Sequence, residues 1–111
     1  MKRLLDAGYS FDFVGSMTTP MGEEQPQWPD YKGQAFDPDH EGHAGWTADD
    51  LLHSCSWDQD KGALPEWLKQ YTSDIVLLHI GTNDVFHATP TAKNISDIEA
   101  IIRLLQTANP R

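Results

Sequence analysis

Residues 74–84 carry the sequence DIVLLHIGTND, and this stretch decides the fold. Residues 75–80 are apolar except for His79, and the run is bounded by Asp74 and Gly81. This pattern is typical of a strand that is buried on both faces of a parallel sheet. Because ligands of open parallel sheets bind beyond the carboxyl ends of the strands, residues 81–84 lie where a functional site is expected.

Helices are predicted on both sides of this strand. Thr47 can cap a helix that begins with the acidic residues of TADDLLH at 47–53, and Pro65 suits the first turn of a second helix that ends near residue 72. A last helix is expected from Thr89-Pro90 to Asn109-Pro110. Its apolar positions step by three and four along one face: Ile95, Ile98, Ile102 and Leu105.

The N-terminal part predicts a short helix that ends at Gly8 and a strand at residues 11–15. The alternation of strands and helices then implies an α/β layer fold with right-handed crossovers. Residues 16–46 are rich in proline and glycine and show neither helical nor alternating periodicity, so they predict one long loop. Aromatic side chains such as Trp28 and Trp46 favour an ordered surface loop over a floppy insertion.

Composition limits the possible functions. The 111 residues include 8 Lys and Arg against 17 Asp and Glu, a formal net charge of −9, which fits one small domain and disfavours binding to nucleic acid or an anionic bilayer. The longest apolar stretch is far shorter than a membrane span, and no signal-peptide core is recognisable. The single Cys55 excludes an internal disulfide, and the compartment stays open.

Asn83 is the strongest candidate for chemistry. Its side-chain amide offers two N–H donors that do not titrate, which suits the stabilisation of a developing oxyanion. Gly45 is a plausible partner, because a backbone without a side chain can bring its N–H close to a bound oxygen just before the predicted helix start. The alternative is that residues 81–83 only form a turn and that Asp84 caps the next segment.

The loop DPDHEGHAGW at residues 37–46 also suggests a metal site. His40 and His43 are three residues apart, but a loop does not place them on one face, and divalent cations need three or more fixed ligands. We therefore predict neither a metal nor a cofactor. Cys55 is expected to be a small buried side chain rather than a nucleophile.

Three pieces in this order resemble the SGNH or GDSL esterase and lipase superfamily, most closely its carbohydrate-esterase members that are similar to acetylxylan esterases: DFVGS at 12–16, the loop at 37–46, and DIVLLHIGTND at 74–84. The resemblance covers residues 12–110. It implies a three-layer α/β/α, flavodoxin-like fold, of which this chain would hold two parallel strands and about three to four helices. It further implies a nucleophilic serine and an oxyanion hole formed by a glycine and an asparagine, here Gly45 and Asn83.

The chain also departs from this family. It has no Gly-Asp-Ser block for the nucleophile, and no Asp-x-x-His block follows the last helix. Three Asp-x-x-His matches lie before that helix, so none takes the family's position, and a motif this short carries a false-positive risk: Asp37/His40, Asp50/His53 and Asp84/His87. Ser16 is expected only to end its strand. Residues 1–111 are therefore interpreted as a partial esterase domain, whose missing first strand would lie between the two that are present.

These observations favour a piece of a serine-type carboxylic ester hydrolase that deacetylates carbohydrate. It would supply the oxyanion hole without the nucleophile or the base, and Trp28 and Trp46 would contact a small-molecule or polysaccharide ester. Such a chain is expected to be inactive alone. Two alternatives stay open: a non-catalytic module that binds carbohydrate through the same aromatic residues, and an acidic metal-binding protein that uses His40 and His43.

Overall fold

The computed structural model describes residues 1–19 and 28–110, so residues 20–27 of the predicted loop lie outside the described residues. The chain divides into two compact units, Met1–His43 and Ala44–Arg111. Within the described residues the helices are α1 (Lys2–Asp6), α2 (Ala48–His53), a 3-10 helix (Gln59–Lys61), α3 (Leu64–Trp67), α4 (Thr82–Phe86) and α5 (Thr91–Ala108).

In the first unit, residues 13–17 lie against residues 37–41. Met17 and His40 form an isolated antiparallel bridge in which each backbone N–H donates to the other's carbonyl oxygen at 2.9 Å. The Phe13 N–H donates to Asp37 Oδ2 at 2.7 Å. A Cβ atom at Gly15 would come within 2.1 Å of the His40 backbone carbonyl. Only glycine permits this close approach.

The second unit has a small core around two tryptophans. The rings of Trp46 and Trp67 stack with their centroids 5.9 Å apart, and the Trp67 Nε1–H donates to the carbonyl oxygen of Lys61 at 2.9 Å. The other buried residues of this cluster come from α2, α3, α5 and the segment after α2: Ala48, Leu52, Cys55, Leu64 and Ile101. The core therefore joins all three helices to Trp46, which directly precedes the Thr47 cap.

Helix α2 begins as predicted. Thr47 Oγ1 accepts from the Asp50 N–H at 3.2 Å, and the Thr47 N–H donates to Asp50 Oδ2 at 2.9 Å, which completes a capping box. The predicted final helix is also confirmed as α5, which packs on α2.

The buried face of α5 differs from the predicted one. Ile98 and Leu105 pack against the core as expected, but Ile95 and Ile102 are exposed, and the fully buried residue is Ile101. Isoleucines and leucines occur on more than one side of this helix, so periodicity alone did not identify the side that meets α2.

Lys93 links α5 to α2, and this link makes stability depend on pH. Its Nζ lies 2.7 Å from both Asp49 Oδ1 and Asp97 Oδ2, and the hydrogen bond from Lys93 holds the pKa of Asp49 below its usual value. A lowered carboxyl pKa stabilises the fold above about pH 4, and this contribution is lost as the pH falls through the lowered pKa. We expect Lys93→Met to lower the melting temperature by several degrees near neutral pH and to flatten its dependence on pH below about pH 5.

Lys61→Met is the matched control, because among the described residues the Lys61 ammonium pairs with a single carboxylate, that of the exposed Asp60, at 4.0 Å. Calorimetry across the acidic range measures both variants. Equal melting temperatures of the two variants at every pH would contradict a stabilising role for the Lys93 bridge.

The strands expected at 11–15 and 74–80 are not found: the described residues contain only isolated bridges, at Met17–His40 and Tyr31–Gln34, and more helices than the predicted three to four. The prediction of two parallel strands in an α/β/α sheet was therefore wrong for this structure. A strand is defined by hydrogen bonds to a neighbouring strand, and the described residues place no such neighbour beside either segment.

Candidate active site

Asn83 lies in the first turn of α4, directly after the apolar segment. Gly81 precedes this helix with a φ of +104°, a left-handed conformation that glycine adopts readily and that turns the chain into α4. The half-buried Asn83 side chain donates through Nδ2 to the carbonyl oxygen of Trp46 at 2.8 Å. Asn83 is thereby fixed to the turn that contains Gly45, and the second N–H of its amide has no protein partner among the described residues.

Gly45 presents its backbone at this turn. It is exposed and has a φ of +83°, and a Cβ atom there would lie 3.5 Å from the ring of Trp57. Its N–H donates to no atom of the described residues. The structure thus brings the Asn83 amide to the carbonyl of the residue after Gly45. Their joint role as an oxyanion hole stays a prediction.

Asp84 is the site residue that sequence reasoning missed. Its side chain is 0% exposed, and its Oδ2 accepts a hydrogen bond from the Ala48 N–H, at the start of α2, at 3.0 Å. Its Oδ1 has no hydrogen-bond partner within the described part of the chain. Sequence reasoning considered Asp84 only as a cap for the next segment, whereas its carboxylate binds a helix start 36 residues earlier. Asn83 and Asp84 therefore hold residues 46–48 by two hydrogen bonds, to the Trp46 carbonyl oxygen and to the Ala48 N–H.

Ser16 and His43 are linked through a carboxylate rather than by a direct contact. In the first unit, Ser16 Oγ donates to Glu41 Oε1 at 2.6 Å, and His43 Nε2 lies 2.6 Å from the same oxygen. The Ser16 N–H donates to Glu41 Oε2 at 2.8 Å. Since a serine nucleophile requires a base in contact with its hydroxyl, the imidazole of His43 is not placed for that role.

The three Asp-x-x-His sequences do not form Asp–His pairs. The Asp37 carboxylate binds backbone N–H groups, Asp50 belongs to the capping box, and Asp84 binds Ala48. His53 instead lies 3.3 Å from Asp49. Each of the three carboxylates is thus bound by groups other than the histidine of its own Asp-x-x-His sequence.

His40 is held by two hydrogen bonds in the first unit. Its Nδ1 accepts from the Gly42 N–H at 3.0 Å, so the ring proton is assigned to Nε2, which lies 3.2 Å from the carbonyl oxygen of Thr19. Within residues 1–19 and 28–110, no group of three or more His, Cys, Asp or Glu side chains is arranged to hold a metal ion.

Burial raises the pKa of the Cys55 thiol, which keeps it protonated and weakly nucleophilic.

The two tryptophans predicted to bind substrate occupy different environments. Trp46 is buried against Trp67, so the structure gives its ring a packing role, and its predicted contact with substrate finds no support. Trp28 is exposed, and its ring centroid lies 5.0 Å from that of Phe36. Both rings line a cleft of about 480 Å³ in the first unit, together with Phe13, Thr18 and residues 37–40.

Comparison with known proteins shows that this chain is similar to esterases. The chain is similar to the solved structure of a carbohydrate esterase family 3 protein from Talaromyces cellulolyticus, with a TM-score of 0.70 and 34% identity, over 98% of this chain and 47% of that chain. It is also 36% identical over 90 residues to a multidomain esterase from Ruminococcus flavefaciens, which covers 74% of this chain and 11% of that protein.

Residues 8–111 match the GDSL-like Lipase/Acylhydrolase family. The chain belongs to this family, and it spans about half of the solved relative and about a tenth of the multidomain one. None of the helices in the described ranges combines the length and the apolar character needed to cross a membrane.

Proposed function

We propose that this chain supplies the oxyanion hole of a serine-type carboxylic ester hydrolase that deacetylates carbohydrate. The observation that carries the proposal is the 2.8 Å hydrogen bond from Asn83 Nδ2 to the carbonyl oxygen of Trp46, which holds the asparagine amide at the turn of Gly45. Membership of the esterase family and similarity to a carbohydrate esterase support the reaction and the substrate class.

The proposed chemistry uses two neutral donors. Attack on an ester carbonyl converts its oxygen to an oxyanion, which accepts hydrogen bonds from the Gly45 N–H and from the second N–H of the Asn83 amide. Neither donor changes its charge with pH, so both act at every pH at which the nucleophile is active. Asp84 holds the Ala48 N–H, which keeps the start of α2 in place behind Gly45.

We also propose that Trp28, in the first unit, binds carbohydrate. Its exposed ring can stack on the apolar face of a pyranose, and Phe36 extends the aromatic wall of the same cleft. The carboxylate of Asp39, which also lines this cleft, can accept hydrogen bonds from sugar hydroxyls.

The chain alone is expected to hydrolyse 4-nitrophenyl acetate at the background rate, because no serine hydroxyl contacts an imidazole nitrogen among the described residues. Initial rates of the purified chain and of its Asn83→Ala variant, measured at the same protein concentration, test this expectation. A robust rate that is lost in Asn83→Ala would show that a nucleophile lies within this chain, and it would overturn the proposed division of roles.

A further inference from the structure

The indole ring of Trp57 lies beside the proposed oxyanion hole. A Cβ atom at Gly45 would be 3.5 Å from Cζ2 and 3.6 Å from Cη2 of this ring, so the outer edge of the six-membered ring borders the backbone that carries the Gly45 N–H. Trp57 is nevertheless 66% exposed. One edge of the ring therefore touches the turn of the proposed donor, and most of the remaining ring surface is open to solvent.

The turn that carries Trp57 is fixed to the core of the second unit. Cys55, two residues earlier, is fully buried and belongs to the core cluster. Its thiol accepts a hydrogen bond from the Trp57 N–H, and its carbonyl oxygen accepts from the Asp58 N–H at 3.1 Å. These bonds hold the backbone of residues 55–58 before any ligand arrives. A preformed aromatic surface loses less conformational entropy on binding than a mobile one.

The exposed ring of Trp57 differs from the buried ring of Trp67 in what it gives the fold. Trp67 is 2% exposed and packs in the core, whereas the open ring of Trp57 leaves apolar surface in water, which is unfavourable. An aromatic face beside a catalytic donor can bind substrate, because the apolar C–H groups on one face of a pyranose stack on an indole. The position of Trp57 therefore suits a ligand better than it suits packing.

We propose that Trp57 binds the sugar ring whose ester reacts at Gly45, a role that rests on the proposed function. An acyl group is selected by an enclosed pocket, whereas the open ring of Trp57 offers a flat surface that fits a pyranose. The sugar is uncharged, so the net charge of −9 does not oppose its approach. Stacking on Trp57 would hold the sugar at the turn and direct its ester carbonyl toward the Gly45 N–H.

The test is a titration of the isotope-labelled chain with xylotetraose, followed by nuclear magnetic resonance. The Gly45 amide and the indole N–H groups of the four tryptophans report binding at separate places. We expect the signals of Gly45 and Trp57 to move together as the sugar is added. Trp57→Ala is expected to raise the dissociation constant measured at the Gly45 amide about two- to tenfold, the effect of losing one aromatic stacking contact.

Tyr9→Ala is the matched control, because Tyr9 is also an exposed aromatic residue and lies in the first unit. It is expected to leave the dissociation constant at Gly45 unchanged. Xylitol, an open-chain polyol without a flat face, controls for effects of a hydroxyl-rich solute. The inference would be overturned if the Gly45 and Trp57 signals do not respond to xylotetraose, if they respond equally to xylitol, or if both variants raise the dissociation constant equally.

Failure of this inference is distinguishable from failure of the proposed function. A response confined to the indole of Trp28 would overturn the role of Trp57 and leave the proposed function in place. Binding at Trp57, together with an unchanged kcat of Asn83→Ala in a complete esterase, would support the sugar site and contradict the proposed oxyanion hole.

Discussion

Asn83→Ala is expected to lower kcat by about 10²–10³ in a complete esterase, because it removes one donor to the oxyanion of the transition state. A suitable enzyme is a chimaera in which residues 8–110 of this chain replace the matched region of the Talaromyces protein. The value of KM is expected to change little, since the interaction is made in the transition state and not with the bound ester. Steady-state kinetics with an acetylated xylo-oligosaccharide provide both constants.

Asn94→Ala is the control for this prediction. Asn94 is also a half-buried asparagine, but it lies on α5, outside the proposed donor pair. Its truncation is expected to leave kcat close to that of the chimaera. If both variants lower kcat equally, or if Asn83→Ala acts only through a lower melting temperature, Asn83 is a packing residue and not a catalytic one.

Trp67→Ala is expected to destabilise the second unit by about 3–5 kcal/mol, the usual effect of removing a buried tryptophan. The substitution removes the ring stacked on Trp46 and leaves the Lys61 carbonyl oxygen without its indole donor. Because small domains have a total stability of roughly 5–15 kcal/mol, this loss brings the unit close to unfolding. Urea denaturation followed by circular dichroism at the helical band measures the change.

Trp57→Ala is the control for Trp67→Ala, because it removes a side chain of the same size. Trp57 is 66% exposed, whereas Trp67 is 2% exposed, and exposed substitutions usually change stability by no more than about 0.5 kcal/mol. A difference of less than about 1 kcal/mol between the two variants, well below the typical effect of a buried tryptophan, would show that the paired rings do not hold the core together.

Features set by local sequence were predicted well. The Thr47 cap of α2 and the extent of α5 follow from residues close together in the chain, and both are found. That a functional site lies at Asn83, after the apolar segment, rests on a general property of α/β proteins and stays a prediction. The family resemblance stated from the motifs is confirmed by the match to residues 8–111.

Features that depend on distant contacts were not predictable from the sequence. Residues 75–80 have the composition of a buried strand, but a strand also requires a partner backbone, and none is present among the described residues. The side of α5 that is buried depends on where α2 lies, which no periodicity within α5 specifies. The hydrogen bond from the Ala48 N–H to Asp84 joins residues 36 apart in the chain, so no local sequence pattern indicates it.

The indole of Trp57 lies against Gly45 and remains largely open to water. Indole emission responds to changes in local polarity, so the difference in emission between the wild-type chain and Trp57→Ala would isolate the signal of a fluorophore beside one of the proposed donors. Arrival of an anion or an acyl group at Gly45 would then be observable by spectroscopy, without a labelled substrate and without turnover.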